Sequence, residues 1–233
     1  MISVGVLGAN GFVGKALVRA LLGNQNFETF PITRGSNLLD LPRRMDFVIH
    51  SANPAKRFQA NSSPNKDLLE TVAKTVRFLD YFSESKLILV SSISCRTQLD
   101  TPYGLNRKIC EDLAIATGAS VVRLGPMYGA DRKQDVLHDI LDSRNVFVAR
   151  ETKYAFCDVD WVADFICSNL SGLPELVEIG AKNTLSLDEI ARRVSSESNF
   201  EGPVDDQYPI NGFEGPDVND VFKFIEEIKF AGS

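Results

Sequence analysis

The chain has 233 residues, of which 44% are hydrophobic and 24% charged, and its formal net charge is −6. This composition is typical of a globular protein with a large core, and an acidic balance without a basic run argues against nucleic acid or an anionic membrane as the main partner. The four cysteines show neither C-x-x-C nor paired spacing, which argues against zinc and disulfides. The chain opens without a signal-peptide pattern and has no apolar run of about 20 residues, so we expect a cytoplasmic protein.

Short aliphatic runs alternate with helical patterns in the first half of the chain. In order, the sequence predicts a strand at ISVGVLG, a helix from about Phe12 to Leu22, strands at ETFPIT and MDFVIHSA, an amphipathic stretch through DYFSES, a strand at KLILVSS, a helix after Tyr103 and a strand at SVVRLG. This alternation predicts an α/β fold with a Rossmann-type, doubly wound parallel sheet. The continuous apolar character of KLILV fits a strand covered on both faces.

The pattern changes after Gly125. A loop and a helix are predicted for GPMYGADRKQDVLHDILDSRN, strands for VFVARETKYAFCDV, a helix for DWVADFICSNL, a loop after Gly202 and a terminal amphipathic helix for VFKFIEEIK. We therefore predict a Rossmann domain formed by residues 1–125 and 155–181. Residues 126–154 and 182–233 would form a small, discontinuous C-terminal cap that binds the substrate.

A glycine triplet in GANGFVG follows the first predicted strand and opens the first predicted helix. Strand, triplet and helix in this order strongly indicate dinucleotide binding, whereas a triplet alone is a weak signal. Gly8 would form the tight turn, Gly11 would admit a pyrophosphate, and Gly14 would let the helix pack closely on the strand. The alternative is a glycine-rich turn without a ligand.

The end of the second predicted strand bears on the choice between NAD and NADP. NAD-binding chains usually present an acid there to the ribose 2′-hydroxyl, but this chain has Thr33 and Arg34. Since Arg34 could meet a 2′-phosphate, the sequence mildly favours NADP, although a merely solvated arginine is almost as well supported. Asp40, in NLLDL, is a candidate contact to the adenine edge.

Seven motifs in order resemble the extended short-chain dehydrogenase/reductase family, specifically its NAD(P)-dependent epimerase/dehydratase group acting on nucleotide sugars. They are GANGFVG, DFVIHSANP, LILVSSIS, PYGLNRKICED, VVRLGPMYG, FCDVDWVADFI and VEIGAKNTLSLDEIARRV. The resemblance covers nearly the whole chain. It implies an NAD(P)-dependent enzyme with a small-molecule substrate, a nucleotide sugar, and a homodimer formed through two helices per subunit.

The resemblance also implies site residues. Ser92 would polarise the substrate oxygen, with Ser94 as the competing position. Tyr103 would be the acid/base, and Arg107 stands where the family has the lysine of Tyr-x-x-x-Lys. The implied cofactor contacts are Gly8, Asn10, Gly11, Phe12, Val13, Gly14, Thr33, Arg34, Asp40, Leu41, Ser51, Ala52, Asn53, Ser91, Tyr103, Arg107, Gly125 and Met127. The candidate substrate contacts are Asn53, Ser94, Arg132 and Lys133; a solvated loop pair is an equally good interpretation of the last two.

Arg107, and not Lys108, is the cation predicted to face Tyr103. Each helical residue turns about 100°, which puts Arg107 within about 40° of Tyr103 and Lys108 about 140° away. We expect Lys108 to form a solvated pair with Asp112. A unit charge about 4 Å from a phenolate is worth about 4 kcal/mol at an effective dielectric near 20, so arginine suffices on charge. The alternative is a surface pair of Arg107 with Glu111 and a tyrosine without a chemical role.

The sequence departs from the family pattern in the arginine, in a shortened segment CRTQLDT and in a short tail after the sheet. Three functions stay open. The first is an oxidoreductase or epimerase that acts on a nucleotide-sugar-like alcohol or ketone by hydride transfer. The second is a dinucleotide-binding scaffold or sensor with weakened chemistry, and the third is a reductase of a small non-sugar carbonyl.

Overall fold

The protein is described from a computed structural model, which covers residues 1–132, 134–210 and 214–231. The chain forms two compact units. Unit 1 comprises Met1–Arg123 and Ala163–Val177, and unit 2 comprises Leu124–Val162 and Glu178–Ser233. Within the described ranges, no helix combines the length and the apolar character that crossing a membrane requires.

The secondary structure follows the alternation of the sequence. The strands in the described residues are β1 (Ile2–Leu7), β2 (Phe27–Ile32), β3 (Phe47–His50), β4 (Lys86–Ser92), β5 (Ser120–Leu124), β6 (Met127–Tyr128), β7 (Lys153–Tyr154), β8 (Cys157–Asp158), β9 (Leu176–Ile179) and β10 (Leu185–Ser186). The helices are α1 (Phe12–Leu22), α2 (Arg57–Ser62), α3 (Pro64–Leu68), α4 (Lys74–Tyr81), α5 (Ser94–Thr97), α6 (Pro102–Ala116), α7 (Val136–Leu141), α8 (Val159–Ser168), α9 (Leu187–Val194) and α10 (Asp220–Ala231). A π-helical turn, Leu69–Ala73, joins α3 to α4.

Six strands form one parallel sheet in the order β2-β1-β3-β4-β5-β9. In its register, Val4 of β1 lies opposite Thr29 of β2 on one side and Phe47 of β3 on the other. The chain therefore places β2 on one side of β1 and then crosses over to β3 on the other. Ligands of open parallel sheets bind beyond the carboxyl ends of the strands at such a reversal. The predicted Rossmann-type sheet is confirmed.

The aliphatic strands form the core of unit 1 because both faces of the sheet are covered. Val4 and Val6 of β1 and Ile88 of β4 are fully buried, as expected for strands without polar alternation. One cluster of this core contains Leu7, Ile32, Met45, Val48, Phe82, Leu87, Leu89, Cys110, Ala114, Ala119 and Val121. The four cysteines of the chain are all buried and free.

Unit 2 has a separate core and two short two-stranded sheets, β10 with β7 and β6 with β8. Residues 155–162 and 178–181, which the sequence prediction assigned to the Rossmann domain, lie in this unit. The physical reason is that Ala155 and Phe156 are buried in its core. The predicted strand region 146–159 contains only β7 and β8. The first part of this region instead forms hydrogen bonds to a later segment of the chain, outside the regular strands. The Val146 amide donates to the Asn199 carbonyl at 2.8 Å.

Candidate active site

The glycine-rich loop connects β1 to α1 and has little room for side chains. Gly8 has φ of +83°, a backbone conformation that favours glycine, and a Cβ there would lie 2.7 Å from the Ala52 Cα. A Cβ at Gly14 would lie 2.0 Å from the Gly8 carbonyl oxygen. Gly8 and Gly14 are therefore required by the loop itself. Gly11 is exposed, and a Cβ there would meet only the Gly8 carbonyl oxygen, at 3.1 Å.

The N-terminus of α1 is suited to an anion. Gly11 caps the helix without a side chain, and the first turn contains no acidic residue. The first N–H groups of a helix lack intrahelical partners and carry partial positive charge. Asn10 is exposed beside them, and Phe12 and Val13 are half-buried. This arrangement fits the pyrophosphate of a dinucleotide.

The end of β2 lies against this loop, because the Gly8 amide donates to the Ile32 carbonyl at 2.9 Å. Thr33 is fixed locally, since its amide donates to the Ser36 hydroxyl at 3.0 Å. The Arg34 side chain is 91% exposed, and its ion pair with Glu70 is long, at 3.7 Å. Arg34 is therefore held only weakly by the protein.

Two further predicted cofactor contacts follow β2. Asp40 is exposed at the end of a 3₁₀ turn, Leu38–Asp40, so its carboxylate is accessible. Leu41 is half-buried and packs against the core of unit 1. Of these two adjacent residues, Asp40 is therefore the one with a polar group that a ligand can contact.

The loop after β3 is fastened to the end of β1. The Ser51 hydroxyl donates to the Leu7 carbonyl at 2.7 Å. Lys74, at the start of α4, donates to the Ala52 carbonyl at 2.8 Å, and the Thr75 hydroxyl donates to the Asn53 side-chain oxygen at 3.5 Å. Sequence reasoning missed this role of α4, because no short motif links residues more than 20 positions apart.

His50 is a neutral, buried residue beneath that loop. Its Nδ1 accepts a hydrogen bond from the Ala52 amide at 3.2 Å, so its Nε2 carries the proton and donates to the Thr75 hydroxyl at 3.0 Å. Burial, followed by the positive charges of Lys74 and Arg107, lowers the pKa of His50 to about 3. His50 therefore supports the loop, since a neutral buried ring is a poor proton shuttle near pH 7.

Tyr103 and Arg107 form a close pair on α6, as the helical angles predict. The Arg107 guanidinium carbon lies 3.7 Å from the centroid of the Tyr103 ring, and Arg57 lies near the same ring at 5.9 Å. Tyr103 is 6% exposed, and its hydroxyl has no hydrogen-bond partner among the described residues. The positive charge of Arg107 thus lies on the face of the Tyr103 ring. The phenol oxygen of Tyr103 is available to bond a group other than the described residues.

Arg107 is buried, at 4% exposure, and its Nη2 donates to the Pro54 carbonyl. Its Nη1 is buried without a hydrogen-bond partner in the described part of the chain. A buried donor that stays unpaired lowers the free energy of unfolding by about 1 to 3 kcal/mol. The predicted alternative of a surface pair with Glu111 is wrong, because Glu111 is buried and binds Arg123 at 2.7 Å.

The predicted solvated pair of Lys108 with Asp112 is confirmed. The helical arithmetic therefore assigned both cations of this motif to the correct faces of α6. Glu111, in contrast, also accepts a hydrogen bond from the Cys95 thiol at 2.8 Å. Its burial depends on partners outside α6, which the motif does not contain.

The serines at the end of β4 differ in accessibility. Ser92 is half-buried, and its hydroxyl donates to the Ser94 hydroxyl at 3.2 Å. Ser94 lies at the start of α5 and is 0% exposed, and Ser91 is 7% exposed. Of the two competing positions, Ser92 is thus the more accessible and Ser94 fixes its hydroxyl.

Gly104 sets the position of Tyr103, and sequence reasoning missed it. A Cβ at Gly104 would lie 2.1 Å from the Gln98 carbonyl oxygen and 2.8 Å from that of Ser94. The N-terminus of α6 can therefore approach the segment after β4 only if this residue is glycine. Thr101 fixes the same turn by accepting a hydrogen bond from the Gly104 amide at 3.1 Å.

A buried carboxylate supports the middle of α6. The Asn106 side-chain amide donates to Asp67 Oδ2 at 2.8 Å, and the Thr71 hydroxyl lies 3.4 Å from Asp67 Oδ1. Both Asp67 and Asn106 are 6% exposed. This pair ties α6 to α3 and to the π-helical turn, and it therefore orients the helix that carries Tyr103.

The remaining predicted contacts lie in unit 2. The Gly125 amide donates to the Ile179 carbonyl at 3.0 Å, and Met127 is half-buried in β6. Arg132 forms an ion pair with Asp135 at 3.3 Å. Lys133, the other candidate substrate contact, lies outside the described residues.

The chain is similar to known proteins both in sequence and in structure. The sequence model of the NAD dependent epimerase/dehydratase family matches residues 4–135. A UDP-2-acetamido-2,6-beta-L-arabino-hexul-4-ose reductase of Pseudomonas aeruginosa is 32% identical over 113 residues, which are 46% of this chain. Since the match covers 29% of that reductase, the chain spans less than a third of this curated relative.

Solved structures share the fold at low sequence identity. The UDP-glucuronic acid 4-epimerase of Bacillus cereus, solved with UDP-glucuronic acid and NAD, superposes with a TM-score of 0.73 at 17% identity, over 97% of this chain and 93% of the epimerase. MoeE5, solved with UDP-glucose and NAD, gives a TM-score of 0.77 at 18% identity, over 99% and 100% of the two chains. These likenesses establish the fold.

Proposed function

Because the chain belongs to the NAD dependent epimerase/dehydratase family, we propose that it is an NAD(P)-dependent oxidoreductase or epimerase acting on an alcohol or ketone of a nucleotide sugar. The observation that carries this proposal is the pair on α6. The Tyr103 hydroxyl has no hydrogen-bond partner among the described residues, while the Arg107 guanidinium lies 3.7 Å from the centroid of its ring. A phenol in this state is available to exchange a proton with a bound ligand.

The residues of unit 1 fit a dinucleotide. The uncapped N-terminus of α1 binds the pyrophosphate, next to the exposed Gly11. The buried Nη1 of Arg107 lacks a partner in the described residues and would donate to a ribose hydroxyl. When bound, the nicotinamide supplies or accepts the hydride.

In this proposal, Tyr103 transfers the proton of the substrate hydroxyl and Ser92 hydrogen-bonds the same oxygen. In the structure the Ser92 hydroxyl donates to the fully buried Ser94 hydroxyl, and this proton would turn to the substrate oxygen when the substrate binds. Arg107 places its guanidinium against the face of the Tyr103 ring, 3.7 Å from the centroid, and this cation–π contact holds the ring in position.

The nucleotide sugar is proposed from the named relatives. The curated relative is a reductase of a UDP-sugar, and two structural neighbours were solved with UDP-glucose or UDP-glucuronic acid. We assign Gly125, Met127 and Arg132 to cofactor and substrate contacts as part of the same proposal. NADP use is also proposed, on the exposed and weakly held Arg34.

A homodimer is the assembly we propose. Leu105 and Leu113 on α6 are 47% and 36% exposed, and Leu69 and Val76 on the neighbouring helical segment are 65% and 46% exposed. Such side chains are suited to a contact between copies. Sedimentation equilibrium that returned the mass of one subunit at high protein concentration would contradict this assignment.

A scaffold with weakened chemistry is the second candidate, favoured by one observation. Arg107 donates to the Pro54 carbonyl and stacks on the Tyr103 ring, whereas a lysine in its place would be a compact point charge. These two contacts hold the Arg107 side chain within the protein, and they limit how far its guanidinium can extend toward a bound ligand.

The test is a binding and turnover assay on the intact chain. NAD and NADP are titrated by calorimetry, and UDP-sugars are then incubated with the protein and each dinucleotide, with products identified by NMR. The proposed enzyme binds a dinucleotide and converts at least one UDP-sugar. Binding without conversion of any sugar would favour the scaffold, and absence of binding would reject both functions.

A further inference from the structure

Unit 2 contains a cleft that has no role in the proposed reaction. Its volume is about 370 Å³, which is enough for a small organic molecule. Three aromatic residues from different elements line it: Tyr128 of β6, Trp161 of α8 and Phe224 of α10. The rings of Tyr128 and Phe224 lie close together, with centroids 5.0 Å apart and planes 31° apart.

The cleft also carries an excess of negative charge. Asp158, Asp220 and Glu227 line it, together with one cation, Lys223. Lys223 is bound to Asp220 at 2.7 Å, and its side chain is 79% exposed. Glu227 has no ion-pair partner in the part of the chain that the structure describes. The lining residues therefore leave two carboxylate charges without a counterion.

Tyr128 gives a second indication of a ligand. It is only 4% exposed and lines the cleft, yet its hydroxyl has no hydrogen-bond partner within residues 1–132, 134–210 and 214–231. Burial raises the pKa of Tyr128, and the carboxylates of Asp158, Asp220 and Glu227 raise it further. The phenol therefore stays protonated. Its oxygen is not among the fully buried, unpaired polar atoms of the described residues, so it opens to the cleft and can bond a ligand there.

We propose that this cleft binds a small organic cation that carries an alkylammonium group. The ammonium lies over the half-buried ring of Phe224, beside the Tyr128 hydroxyl, and faces the carboxylate of Glu227, since aromatic faces and carboxylates together recognise such cations. A bare metal ion fits less well, because no group of three or more His, Cys, Asp or Glu side chains suited to a metal occurs among the described residues. A neutral ligand would leave the Glu227 carboxylate without a counter-charge, whereas Asp158 already accepts hydrogen bonds from the Asp160 and Trp161 amides at 2.7 and 3.4 Å.

The chain offers its own reporter, because Trp161 is its only tryptophan and lines the cleft. The experiment titrates the full chain with tetramethylammonium chloride while tryptophan fluorescence is recorded. Sodium chloride keeps the ionic strength constant, and neopentyl alcohol serves as the neutral molecule of the same shape. We expect a saturable change with tetramethylammonium alone. No saturable change, or an equal change with sodium or with the alcohol, would overturn the proposal.

Two variants and a matched control locate the site. Glu227→Gln removes a carboxylate of the cleft and should raise the dissociation constant about fivefold. Lys223→Gln removes the competing cation and should lower it about threefold. Glu226→Gln, an exposed neighbour that does not line the cleft, should leave it unchanged. Equal dissociation constants in wild type, Glu227→Gln and Lys223→Gln, with each fold verified by circular dichroism, would place the cation elsewhere.

Discussion

The guanidinium of Arg107 lies on the face of the Tyr103 ring, with its central carbon 3.7 Å from the ring centroid. The same side chain donates to the Pro54 carbonyl, so it links α6 to the loop after β3. A planar, forked cation can make both contacts, whereas lysine is a point charge on a flexible stem. Arginine at this position is thus part of the local structure as well as a source of positive charge.

Arg107→Lys tests whether arginine is the adapted residue. We expect kcat to fall about 10- to 100-fold, because a small misplacement of the reacting groups has an effect of this size. Steady-state kinetics on a UDP-sugar that the wild-type protein converts provide the measurement. Lys108→Gln is the control, since Lys108 pairs with the exposed Asp112. A higher rate in Arg107→Lys would instead identify the natural protein as catalytically weakened.

Gly104→Ala tests the close approach of α6 to the segment after β4. The new Cβ would lie 2.1 Å from the Gln98 carbonyl oxygen, so backbone must move, and we expect a loss of about 1 to 3 kcal/mol in the free energy of unfolding. Urea denaturation measures it. Gly172→Ala is the control, because its nearest neighbour would be 3.9 Å away. Equal stability of the two variants would show that the packing at Gly104 is looser than described.

The pH dependence of stability tests the neutral state of His50. Its folded-state pKa of about 3 lies below the ordinary 6.5, so the unfolded chain binds the proton first as the pH falls. The contribution is therefore fully present above pH 6.5 and is lost as the pH drops towards 3. Between about pH 7.5 and pH 5.5, the loss should be about 1.4 kcal/mol.

His50→Asn provides the comparison for that measurement. The asparagine oxygen can accept the Ala52 amide in place of Nδ1, but the side chain does not titrate. The variant should lose some stability at every pH, because the contact of His50 with the Phe78 ring is removed. Its stability should fall by about 1.4 kcal/mol less than the wild type over the same pH interval. Parallel curves for both proteins would contradict a neutral His50.

Arg34→Ala tests cofactor choice. The Arg34 side chain is 91% exposed and pairs only at 3.7 Å with Glu70, so it is free to meet a 2′-phosphate. We expect the variant to bind NADP about tenfold more weakly, because one charge-assisted contact is lost. Its affinity for NAD should not change. Calorimetric titrations measure both constants. Equal affinities of wild type and variant for NADP would show that Arg34 makes no contact with the 2′-phosphate.

Sequence patterns predicted the parts of this protein that depend on neighbours along the chain. The strand KLILVSS and the helix from Phe12 to Leu22 have the predicted bounds. Helical angles identified Arg107 as the partner of Tyr103, since both lie on one face of α6. Backbone periodicity and side-chain chemistry suffice for such features.

Contacts between distant segments could not be predicted in this way. The bond from Arg107 to Pro54 spans 53 positions, and that from Asn106 to Asp67 spans 39. The burial of Glu111, which the sequence alternative placed at the surface, depends on Arg123 in β5. Only the packed fold brings these partners together, so a charge that looks solvated in a helical pattern can be a buried one.

Tyr103→Phe tests directly whether the Tyr103 hydroxyl exchanges the substrate proton. Phenylalanine keeps the ring against Arg107 and removes only the oxygen. We predict that turnover of a UDP-sugar falls by about 10² to 10⁴, the usual contribution of general acid/base catalysis, while the calorimetric affinity for the dinucleotide stays within about twofold of the wild-type value. Unchanged turnover in Tyr103→Phe would show that this hydroxyl does not exchange the substrate proton.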